Sequence, residues 1–156
     1  DGGGCHPRDQ IAMSWLASEA GMSFDIFEFI ARARDEQTLR QASQILDLSK
    51  EHNLPILILG KSYKENSPLT IGSPALLLQY SLNHLHAEFI AWDPWVDGEE
   101  LNQTAPVVAF IASKHEVFRN IPLPAGSIVV DPWGFYLSPN KGIKVITPGR
   151  ANVQQS

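Results

Sequence analysis

Leu54-Pro55-Ile56-Leu57-Ile58-Leu59-Gly60 is a continuous apolar run stopped by glycine. Alternating apolar and polar residues would mark a strand with one wet face. An unbroken run of this length instead predicts a strand buried on both faces of a parallel sheet. Working toward the carboxyl end, Ser73-Pro74 reads as a helix cap and first helical residue, followed by Ala75, Leu76, Leu77, Leu78, Tyr80 and Leu82. Glu88–Asp93 is the next predicted strand, closed by Pro94, and Val107–Ala112 the third. A short helix is expected from Lys114 to about Ile121, a fourth strand over Ser127–Asp131 and an edge strand over Ile143–Ile146. Strands alternating with helices or loops over about a hundred residues predict an open, mostly parallel α/β sheet with flanking helices. Ligand sites in such sheets lie at the carboxyl ends of the strands.

On the amino side the period changes to that of helices. Ile11, Ala12, Trp15 and Leu16 predict a helix from Pro7 to about Ala20, stopped by Gly21. A second is expected from Phe24 to about Ala33, capped by Asp25 or Ser23, and a third from Leu39 to about His52, ended by Asn53. These helices carry more apolar surface than a lone appendage needs, which predicts packing on another chain or domain. The expected division is a helical segment over 1–53, a sheet domain over 54–150 and a frayed tail over 151–156.

Composition narrows the class of function. A chain of 156 residues, 44% hydrophobic, suffices for one good core. Twelve Lys plus Arg against seventeen Asp plus Glu give a net charge of −5, with no basic run, so nucleic acid is not an expected partner. One cysteine excludes an internal disulfide or a multi-cysteine metal site, and the five histidines show no metal-binding spacing. No segment approaches the roughly 20 apolar residues of a membrane span, and no signal-like sequence follows residue 1. The default expectation is a cytoplasmic protein without a membrane partner.

Two stretches could carry chemistry. In Gly2-Gly3-Gly4-Cys5-His6-Pro7-Arg8-Asp9 the cysteine follows three glycines and precedes a helix start. Glycine permits close approach of a ligand to the backbone, and both the helix terminus and Arg8 attract a negatively charged sulfur. The plain alternative is a glycine turn before a small buried cysteine. The loop Gly60-Lys-Ser-Tyr-Lys-Glu-Asn-Ser67 leaves the carboxyl end of the first strand with two lysines able to neutralise a phosphate or carboxylate. It is neither a P-loop nor a dinucleotide glycine fingerprint, and its plain alternative is a solvated loop. A cysteine hydrolase is a further alternative, but apart from the adjacent His6 no histidine is placed by sequence as its base.

Together these stretches resemble the UDP-glucose/GDP-mannose dehydrogenase family. Gly2–Asp9 is similar to its Gly-Gly-x-Cys-x-Pro-Lys/Arg-Asp motif, and Gly60-Lys-Ser-Tyr-Lys64 followed by Ser73-Pro74-Ala75 is similar to its Gly-x-x-Phe/Tyr-Lys and Ser-Pro-Ala elements. Order, separation and a helical connector also match, and Trp92-Asp93-Pro94 resembles the family's Tyr-Asp-Pro strand end. The resemblance implies the end of a central helical, dimerising domain followed by a Rossmann-like nucleotide-sugar domain. The implied activity is NAD-dependent oxidation of the C6 alcohol of a nucleotide sugar to the uronic acid. Cys5 would form a thiohemiacetal and then a thioester, and Asp9 would orient or deprotonate the hydrolytic water. Gly2, Gly3, Gly4, Arg8 and Lys64 would contact the substrate, whereas Lys61 has no motif support and reads as solvated. The NAD-binding domain and a catalytic lysine would lie upstream of the cysteine, so the resemblance implies a fragment that does not oxidise substrate alone. A non-catalytic nucleotide-sugar binding or oligomerisation module is the alternative.

Departures accompany the likeness. Pro68-Leu-Thr-Ile-Gly72 is uncharged where the family commonly carries Asp and Arg, Trp133 follows Asp131-Pro132 where Arg or Asn is frequent, and Arg34 stands at a usual asparagine. These imply altered substrate recognition or relaxed function. His84 and His86 read as surface residues, and Trp15, Trp92, Trp95 and Trp133 as packing rather than a sugar platform. Asp93 sits where dinucleotide folds place a ribose-binding acid, but no glycine fingerprint precedes it.

Overall fold

A computed structural model describes residues 4–98 and 100–149. Helices α1 (Cys5–Glu19) and α2 (Ile26–His52) precede β1 (Ile56–Leu59), α3 (Pro74–His84), β2 (Phe89–Trp92), β3 (Val108–Ile111), β4 (Ile128–Val130) and β5 (Lys144–Ile146). The strands form one sheet of order β2-β1-β3-β4-β5, and every pairing is parallel. The frayed tail expected over 151–156 lies outside the described residues.

The apolar run that opened the sequence reading is the buried strand β1, second from one edge. Alternate side chains point to opposite faces. Ile56 and Ile58 join Val108, Phe110, Ile128 and Val130 in one core layer, which α2 closes with Ala42 and Ile45 and α3 with Leu78 and Leu82. Leu57 and Leu59 join Ala109, Ile111 and Val129 in the other. That second face is covered by Phe118, Ile121, Leu123 and Tyr136 from turns and loops, so α2 and α3 flank only one side. The helix expected from Lys114 to Ile121 is a single 3-10 turn, Glu116–Phe118. Pro122 and Pro124 follow it closely and cannot continue a helical ladder.

The two helices expected at Phe24–Ala33 and Leu39–His52 are one helix of 27 residues. The intervening Arg34-Asp-Glu-Gln37 contains no glycine or proline, and Thr38 turns its hydroxyl back to Arg34 O at 3.0 Å. The apolar stripe breaks there because the helix changes partner, from α1 to the sheet and α3. Asn53, in the left-handed conformation (φ 50°), ends it.

At the α1–α2 corner the Asp25 carboxylate accepts from Phe27 N–H (2.9 Å), Glu28 N–H (3.0 Å) and the Ser14 hydroxyl. The Ser14 bond most, and the Glu28 and Phe27 amides besides, hold this carboxyl below its ordinary value against a small opposing effect of burial. A depressed folded-state pKa gives stability that is present above the unfolded value and lost as pH falls through the folded one. Asp25→Ala is therefore expected to lower the melting temperature by a few degrees at neutral pH. The gap to wild type should close as pH drops below 3.8, which thermal melts across acid pH would read.

Candidate functional site

β1 lies between β2 and β3, so the chain reverses its direction of travel across the sheet at the β1–β3 boundary. That boundary is where open α/β sheets take ligands. Gly60, directly after β1, has φ +108°, and a Cβ there would stand 2.5 Å from Ser113 Cβ and 2.7 Å from Ser113 N. Only glycine lets the two strand ends approach this closely.

Beyond Gly60 the chain turns onto Asp93, which is fully buried at the end of β2. Its Oδ2 accepts from Lys61 N–H (2.7 Å), Ser62 N–H (3.0 Å) and His115 Nε2 (3.0 Å), and its Oδ1 from Trp95 N–H (2.9 Å). Burial alone pushes the Asp93 carboxyl up, but the four hydrogen bonds together outweigh it and hold the group below its ordinary range. Both oxygens are thus occupied, so Asp93 shapes the loop and is not presented to a ribose. Lys61 also differs from expectation: its ammonium is 2.6 Å from Asp97 Oδ1, with the side chain only 21% exposed. Asp97 in turn accepts Asp93 N–H at 2.8 Å.

His115, also fully buried, comes from the carboxyl end of β3. Its Nδ1 accepts Asn66 N–H (2.8 Å), so the ring hydrogen is on Nε2, facing Asp93 and Ser62 Oγ (2.9 Å). Ser62 Oγ donates onward to Lys64 O at 3.0 Å, and Ser113 Oγ donates to Ser62 O. Serine and aspartate share one ring nitrogen, so this is not a nucleophile–base–acid relay. No motif singled out His115 or Ser113 in the sequence. The available signal was position, since polar residues directly after a buried apolar run stand at a sheet's carboxyl edge.

The network holds the loop over 61–67, on which Lys64 is exposed. Tyr63 N–H to Leu69 O (3.0 Å) closes the loop, and Ser73 caps α3 by accepting Ala75 N–H (3.1 Å). Between them Ile71 reaches Gly4: a Cβ on Gly4 would lie 3.2 Å from Ile71 Cγ2. The glycine-cysteine opening is therefore a spatial neighbour of the segment that joins the lysine loop to α3.

Cys5 is the first residue of α1 and is exposed. Gly4, itself helical at φ −66°, precedes it without a side-chain cap. Asp9 follows Cys5 by four residues and so shares its helix face. Arg8 and Asp9 form an exposed pair at 2.8 Å. The Asp9 hydrogen bond and charge, and behind them the charge of Cys5, raise the Arg8 guanidinium above its ordinary value. Gly2 and Gly3 lie outside the described residues. Across the same edge of the sheet, Asp131 accepts from Trp133, Phe135 and Tyr136 N–H (3.0, 2.7 and 2.8 Å), repeating the Asp-Pro-Trp corner of residues 93–95. Trp133 Nε1 donates to Ile111 O at 3.1 Å, which ties the β4 corner to the end of β3.

No described helix is long and apolar enough to cross a membrane. No family model matches the chain. It is 29% identical over 94 residues to the UDP-glucose 6-dehydrogenase TuaD of Bacillus subtilis (strain 168), covering 60% of this chain and 20% of that protein. Among solved structures it resembles a GDP-mannose dehydrogenase from Pseudomonas aeruginosa in a ternary complex, with TM-score 0.67 and 19% identity over 92% of this chain and 39% of that one. A UDP-D-ManNAc dehydrogenase from Pyrococcus horikoshii gives 0.60 and 22%, over 83% and 35%. The chain thus spans a fifth to two fifths of the length of these proteins. The chain is thus similar in a 94-residue segment of sequence to a UDP-glucose 6-dehydrogenase, and in fold to nucleotide-sugar dehydrogenases.

Proposed function

We propose that this chain supplies the cysteine nucleophile and the nucleotide-sugar half of an NAD-dependent nucleotide-sugar 6-dehydrogenase. The observation that carries this reading is the contact of Gly4 with Ile71, which sets the cysteine motif against the segment joining the lysine loop to α3. Lys64 neutralises the diphosphate, and the backbone at Gly2, Gly3 and Gly4 together with Arg8 borders the sugar. The Cys5 thiolate would add to the C6 aldehyde carbon as the carbonyl π bond opens, giving a thiohemiacetal. NAD, held outside the described residues, would supply the oxidant that takes the C6 hydride. Water would then add to the thioester and the C–S bond would break, releasing the uronic acid and the Cys5 thiol. Asp9, on the same helix face, orients that water once substrate draws Arg8 away from it.

NAD does not fit the residues described. The acid at the end of β2 that would hold a dinucleotide's ribose, Asp93, is buried and accepts from the Lys61, Ser62 and Trp95 amides instead. The cofactor's site is accordingly assigned to a domain other than this sheet. The exposed Ile11, Trp15, Phe24 and Phe29 on α1 and α2, beside an apolar depression of about 450 Å³ lined by Met22, Ser23, Phe24 and Ile26, form the surface we assign to a homodimer. Trp15→Glu is expected to turn a dimer into a monomer by light scattering, and a wild-type monomer at high concentration contradicts the assignment.

The Arg8–Asp9 pair favours a second reading, a non-catalytic nucleotide-sugar binder, because it leaves the proposed water-orienting carboxylate engaged. Amide shift mapping with UDP-glucose, UDP-N-acetylmannosamine and GDP-mannose tests the first. Residues 62–67 and 4–9 should shift together with one of these sugars, while NAD added with it is not reduced by this chain alone. Shifts at 62–67 with none at 4–9 support the binder; turnover, or shifts at neither segment, contradict the proposal.

A further inference from the structure

Lys64 is an exposed residue on a loop, and such a residue binds an anion well only if something fixes the loop beneath it. We infer that His115 is the positioning residue of the Lys64 loop, accepting Asn66 N–H on one ring nitrogen while donating to Ser62 and Asp93 from the other. The inference rests on the reading of Lys64 as the anion contact, and extends it to a buried residue that touches no ligand.

The geometry leaves the ring little freedom. Asn66 N–H, at 2.8 Å, requires Nδ1 to be an acceptor. Asp93 Oδ2 at 3.0 Å and Ser62 Oγ at 2.9 Å share the hydrogen on Nε2, since the Ser62 hydroxyl is directed to Lys64 O. The Phe118 ring packs against the imidazole nearly edge-on, at 5.2 Å and 76°, and fixes its plane. The charged groups around it are Asp93 at the end of β2, with Lys61 and Asp97 beyond, and Lys64 on the loop. Residues 62, 64 and 66 are thereby held from one side chain, directly or through one hydroxyl. A merely space-filling residue would not need two ring nitrogens of opposite role.

The test uses nitrogen-15 NMR on the intact chain. In wild type, coupling across the hydrogen bond between Asn66 N and His115 Nδ1, with the hydrogen on Nε2, is expected. His115→Phe keeps the volume and removes both roles; amide exchange at Asn66 should speed up about tenfold or more relative to the β3 amides. His115→Asn restores an acceptor near the Nδ1 position and should recover most of that protection. Calorimetric affinity for whichever of UDP and GDP the wild-type chain binds should weaken in His115→Phe and recover in His115→Asn in the same order. A hydrogen on Nδ1, or Asn66 exchange unchanged in both variants, overturns the inference. If His115→Phe does not fold, the wild-type coupling and the asparagine variant decide. A wild-type chain that shows the coupling but binds neither UDP nor GDP refutes the nucleotide reading and leaves the loop-positioning role standing.

Discussion

Asp93→Ala is expected to destabilise the folded chain by about 3–5 kcal/mol at neutral pH, measured by denaturant unfolding. The carboxylate is fully buried and accepts from Lys61 N–H, Ser62 N–H, Trp95 N–H and His115 Nε2. Alanine leaves these donors without acceptor or water. Asp93→Asn keeps one carbonyl oxygen but sets an amide N–H against other N–H groups, so it should recover only part of the loss. The acid dependence has a definite sign. The hydrogen bonds hold the folded-state pKa below 3.8 despite burial, so the wild-type advantage is complete above that value and disappears as pH falls through the lower, folded one. A gap that widens toward acid would contradict the assignment of charge to Asp93.

Gly60→Ala is the second large effect, about 2–4 kcal/mol of destabilisation. Two costs combine: a non-glycine residue at φ +108°, and a methyl group placed 2.5 Å from Ser113 Cβ and Oγ. Ser113→Gly in the same chain removes the side-chain clash but neither the 2.7 Å approach to the Ser113 nitrogen nor the strained φ. The double variant is therefore expected to recover part of the stability. Full recovery would mean that backbone strain at Gly60 costs little.

These two sites show what the sequence carried and what it did not. The run Leu54–Gly60 was enough to place a doubly buried strand, because an unbroken apolar run can only be satisfied between two layers. Ser73-Pro74, Asp25 and Asn53 announced their helix ends through local chemistry, and each cap is formed. The division at residues 33–39 was misread because periodicity reports which side a helix buries, and α2 changes partner midway. The turn at 116–118 and the loops covering the second face owe their place to tertiary contacts of Phe118, Leu123 and Tyr136, which have no period.

The candidate site divided in the same way. Cys5, Gly4 and Lys64 stand in contiguous motifs that sequence alone can display, whereas the contact of Gly4 with Ile71 joins positions 67 residues apart and has no local signal. Asp93 was visible as a strand-end acid, yet its occupation by loop amides depends on Lys61 and Ser62, about 30 residues earlier in the chain. Lys61 read as solvated because Asp97 lies 36 positions away. His115 carries no local signature, and its role exists only where β1, β2 and β3 end side by side.

Calorimetric titration of the chain with UDP-glucose, UDP-N-acetylmannosamine and GDP-mannose, in wild type and Lys64→Ala, tests the central claim most directly. The account predicts saturable one-to-one binding of at least one of them, weakened about tenfold or more when the Lys64 charge is removed. No binding of any of the three, or equal affinity in the two proteins, would contradict it.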